Sequence, residues 1–238
     1  MRRRSATILT IAIIALGLGS LVGLATYSPS DPPSVIARPP STTSPSPRPQ
    51  SRAIFIGDSY TQGFGASTEA LKWTSLVAEA QNWEEINLGL GGSGYVATSG
   101  VKGCGQVYCA NFREVAEDAM AEHPDIVIVA GGRNDLSIFA SDPARVTAAM
   151  SQTFTRLRKD LPRARIIAVG PLAPRQVDKT VRAFDASVRE IAGKSNATHI
   201  SLIEPESVIT SSMVLEDGNH VNDEGHEAIA ERVLAALG

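Results

Sequence analysis

Short apolar runs recur along the chain from residue 51 onward, and stretches of helical periodicity separate them. Residues 53–56 form the first run. Over residues 68–82, Leu71, Trp73, Leu76, Val77 and Ala80 fall near helical spacing. Residues 85–88 are a short second run, followed by a glycine-rich loop over 89–105 and a helical pattern over 111–122. Residues 125–130, Asp-Ile-Val-Ile-Val-Ala, are apolar without alternation, as expected of a strand covered on both faces. A helix over 143–161, a run at 165–169, a helix over 177–194 and a run at 199–203 follow. The last helix is predicted from Asn222, whose side chain can cap it, to about Leu237, with Asp223 and Glu224 favourable in its first turn. Strands alternating with helices imply one α/β domain, a three-layer α/β/α sandwich on a five-stranded parallel sheet with right-handed crossovers. The strand order 2-1-3-4-5 is the expected one.

The first fifty residues follow another pattern. Arg2, Arg3 and Arg4 precede an uncharged segment whose apolar heart is residues 8–25. A basic start, an apolar middle and small residues at the end form an export signal, with Gly23-Leu24-Ala25 as a cleavage site. The segment also approaches the ~20 residues that span a bilayer, so an uncleaved anchor is the alternative. Residues 1–27 are therefore read as a signal peptide or membrane anchor, with the remainder outside the cytoplasm. Residues 28–50 hold eight of the chain's fourteen prolines among serines and threonines, the composition of an extended, unfolded spacer. The folded domain is placed at 51–238. A formal net charge of −3 and the absence of a basic run beyond the first positions argue against a nucleic-acid partner.

Ligands of open α/β sheets bind at the carboxyl ends of the strands. That rule places Ser59 after strand one, Gly91 and Gly92 after strand two, Asn134 after strand three, and Asp217 with His220 after strand five. A serine hydroxyl needs a base, and the base needs an orienting group. His123 and His199 fall at the beginnings of strands, hence at the opposite edge, and His226 falls inside the last helix as a packing or surface residue. His220 is left as the base, Asp217 as its orienting acid and Ser59 as the nucleophile. The backbone N–H groups of Ser59 and Gly92 and the amide of Asn134 are available to hold an oxyanion. Asp58 is read as a residue that holds the turn by bonding nearby backbone N–H groups.

These residues resemble the SGNH, or GDSL, hydrolase superfamily. Gly57-Asp58-Ser59-Tyr60 is similar to its Gly-Asp-Ser block, with Tyr60 where leucine is commoner. Asn87-Leu88-Gly89-Leu90-Gly91-Gly92-Ser93-Gly94, Gly132-Arg133-Asn134-Asp135 and Asp217-Gly218-Asn219-His220 resemble the other three blocks, in order. The resemblance covers residues 51–238 and implies the flavodoxin-like fold of that superfamily. It also implies ester hydrolysis through an acyl-enzyme, with Ser59, His220 and Asp217 as the triad, Ser59, Gly92 and Asn134 as the oxyanion hole, and no metal or cofactor. The α/β-hydrolase elbow Gly-x-Ser-x-Gly is not met, because Thr61 stands in place of its last glycine.

Cys104 and Cys109 are expected to form a disulfide, the default outside the cell. So short a loop gains only ~2 kcal/mol, enough to pin a local segment. Residues 97–108 and 171–176 are expected to shape the pocket. Arg133 and Arg175 are read as structurally paired or solvated, with contact to an anionic substrate as the alternative. The leading expectation is an exported serine esterase acting on small acyl or acetyl esters, carbohydrate esters among them. Acyl transfer by the same site, or a non-catalytic surface-binding protein, are the alternatives. The expected partner is a small-molecule or glycan ester. Membrane contact is expected only through the amino-terminal segment, and the chain is expected to be a monomer.

Overall fold

The computed structural model describes residues 50–238, so the expected signal or anchor at 1–27 and all but the last residue of the spacer lie outside the described residues. The first half of the domain runs β1 (Ser51–Gly57), α1 (Ser59–Gln62), a 3-10 turn (Glu69–Leu71), α2 (Trp73–Ala80), β2 (Trp83–Gly89), α3 (Val101–Cys104), α4 (Phe112–Ala121) and β3 (Ile126–Ala130). A 3-10 turn (Arg133–Asp135), α5 (Leu136–Ser141), α6 (Pro143–Asp160), β4 (Arg165–Val169), α7 (Lys179–Lys194), β5 (Thr198–Ile200), a 3-10 turn (Ser211–Met213) and α8 (Asp223–Leu237) complete it. All five strands are parallel, in the expected order β2-β1-β3-β4-β5.

Alternate residues of β1 feed two cores. Ile54 and Ile56 pack with Phe112 and Val115 of α4, Phe154 of α6 and Phe184 of α7. Ala53 and Phe55 pack on the other face with Trp73 and Val77 of α2 and Ile229 and Val233 of α8. A sheet covered on both faces explains why its central strands carry no polar alternation. Helix starts follow the side chains that satisfy their orphan N–H groups. Asn222 Oδ1 accepts from Gly225 N–H at the start of α8, and Asp178 Oδ1 accepts from Thr180 and Val181 N–H, so α7 begins two residues later than expected.

The helix expected over 68–82 is broken. Lys72 is extended, with φ −64° and ψ 141°, and separates the 3-10 turn from α2. The break lets Trp73 enter the core edge-on to Phe55, with ring centroids 5.5 Å apart. The first N–H of α2 is taken by a distant side chain, His226 Nδ1, at 3.4 Å. β5 is also shorter than the run at 199–203. Its three residues pair with the last three of β4, and Ser201 Oγ then accepts from Ile203 and Glu204 N–H and turns the chain out of the sheet.

That register corrects the placement of His199. It sits level with Ala168, near the carboxyl end of β4 and away from the opposite edge, and its ring bonds the buried Asp185 at 3.0 Å. His123 does lie at the amino end of β3, as expected. Among the described residues no helix is long and apolar enough to cross a membrane.

Candidate active site

Asp58 ends β1 and caps α1, its Oδ1 accepting the Tyr60 N–H at 3.1 Å. Ser59 is therefore the first residue of the helical turn, at the carboxyl edge of the sheet. Its N–H has no acceptor among the described residues. The Asp217–His220 loop arrives beside it: His220 Nε2 lies 2.9 Å from Ser59 Oγ, and His220 Nδ1 lies 2.6 Å from Asp217 Oδ2. The second oxygen, Asp217 Oδ1, accepts the N–H groups of Asn219 at 2.8 Å and His220 at 2.9 Å. The bond from the His220 ring, helped by those two N–H groups, holds the Asp217 carboxyl down at about 2. It is ionised at neutral pH.

Three side chains pin this loop. The Tyr60 hydroxyl donates to the Asn219 carbonyl oxygen. Arg133 Nε donates to Asn219 Oδ1 at 3.0 Å, and Arg175 Nε donates to the Gly218 carbonyl at 2.7 Å. Both arginines thus have structural partners, the first of the two readings made for them. Phe64 covers the base from outside, its ring centroid 4.1 Å from that of His220. The carbonyl of Phe64 is bonded to His226 Nε2 at 3.2 Å. With Nδ1 accepting from Trp73, His226 is a neutral imidazole with Nε2–H as donor, and burial lowers its pKa from the ordinary 6.5.

On the other side of Ser59, the glycine-rich loop is tied down from several directions. Gln62 Oε1, one turn past Ser59, accepts the Gly91 N–H at 2.9 Å. Asn87 Nδ2 donates to the Thr61 carbonyl at 2.7 Å. The buried Asp135 carboxylate accepts three successive N–H groups, from Tyr95, Val96 and Ala97, at 2.6, 3.0 and 2.8 Å. Asn134, its neighbour, donates one amide hydrogen to the Ser93 carbonyl at 2.8 Å, which aims the other outward. Gly92 has φ +79°, and its N–H also has no acceptor among the described residues. Cys104 and Cys109 are joined in a disulfide, closing the loop behind these glycines.

The structure therefore joins Ser59, His220 and Asp217 in one chain of hydrogen bonds, ties the loop of Gly92 to Gly57 at the end of β1 through Leu90 and Ser93, and ties Asn134 to that loop. A hydroxyl, an imidazole and a carboxylate in that order can generate an alkoxide-like nucleophile, and free N–H groups beside it can hold a developing oxyanion. Sequence reasoning passed over Phe64, Ser99 and the cradle around Asp135. Only the acid that ends Gly132-Arg133-Asn134-Asp135 hinted at any of them. Among the described residues no group of three or more His, Cys, Asp or Glu could hold a metal.

Asp58 carries a separate consequence. Its Oδ2 is buried without a partner and lines a cavity of about 20 Å³ with Tyr60, Thr61, Trp73 and Gly131. Burial pushes its carboxyl up to about 7 from 3.8, against the pull of the Tyr60 N–H and Arg133. A carboxyl raised in the folded state favours folding below its unfolded value, and that contribution is lost as pH rises through the folded one. We predict that the melting temperature falls between pH 5 and pH 8 and that Asp58→Asn flattens the fall. Equal pH 5-to-8 changes in the two proteins, by calorimetry, would refute it.

Residues 55–228 match the model of the GDSL-like lipase/acylhydrolase family. A GDSL lipase of Mycobacterium tuberculosis is 29% identical over 233 residues, 93% of this chain and 94% of that one. Among solved structures, a putative lipolytic protein of the G-D-S-L family from Desulfitobacterium hafniense superposes with a TM-score of 0.61 at 18% identity, over 79% of this chain and 100% of that one. An acetylxylan esterase from Geobacillus stearothermophilus gives 0.57 at 17%, over 79% and 94%. A family two carbohydrate esterase from Cellvibrio japonicus gives 0.63 at 18%, over 79% and 61%. The expected fold class is the one these structures share.

Proposed function

Because the chain belongs to the GDSL-like lipase/acylhydrolase family, whose members are hydrolases acting on esters, we propose that it is an exported serine esterase cleaving small acyl esters, acetyl foremost, through an acyl-enzyme on Ser59. The observation that carries this is the continuous chain from Ser59 Oγ to His220 at 2.9 Å and on to Asp217 at 2.6 Å. Ser59 Oγ attacks the ester carbonyl carbon while His220 Nε2 takes its proton. Ser59 N–H, Gly92 N–H and the free amide hydrogen of Asn134 hold the oxyanion. The carbon–oxygen bond to the alcohol breaks, and His220 returns the proton to the leaving oxygen. Water then attacks the acyl-enzyme by the same route and releases the carboxylic acid and Ser59.

The acetyl group is supported by the fold shared with the acetylxylan esterase. Carbohydrate esters are supported by the fold shared with the acetylxylan and carbohydrate esterases. Export rests on the arginine-led apolar segment at the amino terminus and agrees with the Cys104–Cys109 disulfide. The test is to give the full chain p-nitrophenyl acetate, longer p-nitrophenyl esters and acetylated xylan, with and without added sugar acceptors. Acetyl esters should turn over fastest, with an acetyl adduct on Ser59 seen by mass spectrometry. A rate that rises with chain length would overturn the small-acyl reading. Acetylated sugar as the main product would reassign the enzyme to acyl transfer.

Asn134→Ala should lower kcat by ~10²–10³ with KM little changed, the usual loss on removing one oxyanion donor. The bond it also gives up, to the Ser93 carbonyl, is worth only ~1 kcal/mol of stability. An unchanged kcat in a folded variant would remove Asn134 from the oxyanion hole.

A further inference from the structure

The two peptides that meet at Gly91 are each held by a side chain, and the group that holds the second, the Gly91–Gly92 peptide, is a serine outside the four sequence blocks. Gly91 N–H is bonded to Gln62 Oε1 at 2.9 Å. Its carbonyl oxygen accepts the hydroxyl of Ser99. In a trans peptide the carbonyl of one residue and the N–H of the next point in opposite directions within one plane. Fixing the Gly91 C=O therefore fixes the direction of the Gly92 N–H, which has no acceptor among the described residues. A hydrogen bond accepted by the carbonyl also polarises the peptide and strengthens its N–H as a donor.

Ser99 is itself held firmly. It exchanges both backbone bonds with Cys109, at 3.1 and 3.0 Å, and Cys109 is joined to Cys104. Gly103, one residue before Cys104, lies so close that a Cβ on it would come within 2.5 Å of the Gly91 oxygen and 2.6 Å of Ser99 Oγ. The hairpin closed by the disulfide thus presses a hydroxyl and a bare glycine against the back of the oxyanion peptide.

We propose that Ser99 is a positioning residue for catalysis: through the Gly91 carbonyl it aims and polarises the Gly92 N–H toward the oxyanion, and the Cys104–Cys109 hairpin is the support that holds it there. The proposal rests on the reading of Ser59 as nucleophile and Gly92 as oxyanion donor. Its effect belongs to the transition state, where negative charge develops, and not to ester binding.

The experiment uses the full chain and compares wild type, Ser99→Ala, Ser99→Thr, Gly103→Ala and Ser59→Ala with p-nitrophenyl acetate. Affinity for a boronic acid that mimics the tetrahedral anion is measured alongside. Ser99→Ala should lower kcat about tenfold, the value of one hydrogen bond realised in the transition state. KM should stay within about twofold of wild type. Boronate affinity should fall by the same factor as kcat/KM. Ser99→Thr, which keeps the hydroxyl, should restore kcat. Gly103→Ala, whose methyl meets both the Gly91 oxygen and the Ser99 hydroxyl and so parts them, should reproduce the loss with Ser99 still present. A folded Ser99→Ala with wild-type kcat, a rise in KM alone, or a Ser99→Thr as slow as Ser99→Ala would each overturn the proposal. Undiminished turnover by Ser59→Ala would instead remove the nucleophile assignment on which the proposal stands, so the two failures are read separately.

Discussion

Ser59→Ala is expected to lower kcat by ~10⁵–10⁶ while leaving the fold and its melting temperature intact. Among the described residues the Ser59 side chain has one hydrogen-bond partner, His220 Nε2, at 2.9 Å. It is partly exposed at the sheet edge, so its removal leaves no buried group without a partner. His220 stays in place, because Asp217, the Phe64 ring and the pinned loop hold it independently of Ser59. What disappears is the atom that forms the acyl bond. The residual rate should be that of water attacking an ester held against the oxyanion donors. Steady-state turnover of p-nitrophenyl acetate checks the loss, and a thermal melt checks the fold. A kcat within tenfold of wild type would end the acyl-enzyme mechanism.

Asp217→Asn should cost ~10⁴ in kcat, and the local geometry says why an isosteric change is so harmful. Asp217 Oδ1 accepts two backbone N–H groups, from Asn219 and His220. An asparagine must keep its oxygen there, because its NH₂ cannot accept. The NH₂ group then takes the place of Oδ2, facing His220 Nδ1. An N–H donor facing Nδ1 forces the imidazole proton onto Nε2, the nitrogen that must be free to take the proton of Ser59. The loop keeps both backbone bonds, so the melting temperature should change little. Loss of the carboxylate that stabilises the positive charge forming on His220 during reaction adds to the defect. A kcat within a few-fold of wild type would show that Asp217 does not set the tautomer.

The strands themselves and the blocks that carry the candidate site residues were legible because each rests on a local signal, whereas the order 2-1-3-4-5 came from the usual winding of such sheets. β3 reads as a covered strand from five apolar residues that prove to be buried. Ser59, Asn134 and His220 each follow a strand within a short block. The connections among those blocks were not legible. Asp135 meets N–H groups 38 to 40 positions earlier, Arg133 meets Asn219 across 86 positions, and His226 meets Phe64 across 162. No periodicity marks such pairs, because the sheet and not the local chain brings them together. The break at Lys72 escaped for the same reason, since helical spacing continues through it and the tertiary contacts of Trp73 decide. His199 was misplaced because the register of a three-residue edge strand depends on its neighbour. Ser99 carries no signal at all in a loop rich in serine and glycine.

The distance along the chain between Ser59 and His220 has a bearing on how the protein comes into being. The two are separated by 161 positions, and the loop that carries His220 lies just ahead of the terminal helix. During synthesis the nucleophile emerges 161 residues before its base. A nascent or truncated chain that lacks the His220 loop therefore has no competent pair, and docking of that loop is what switches the hydroxyl on. Recovery of activity during refolding should accordingly lag behind recovery of helical signal, with its rate set by the docking of α8 against α2.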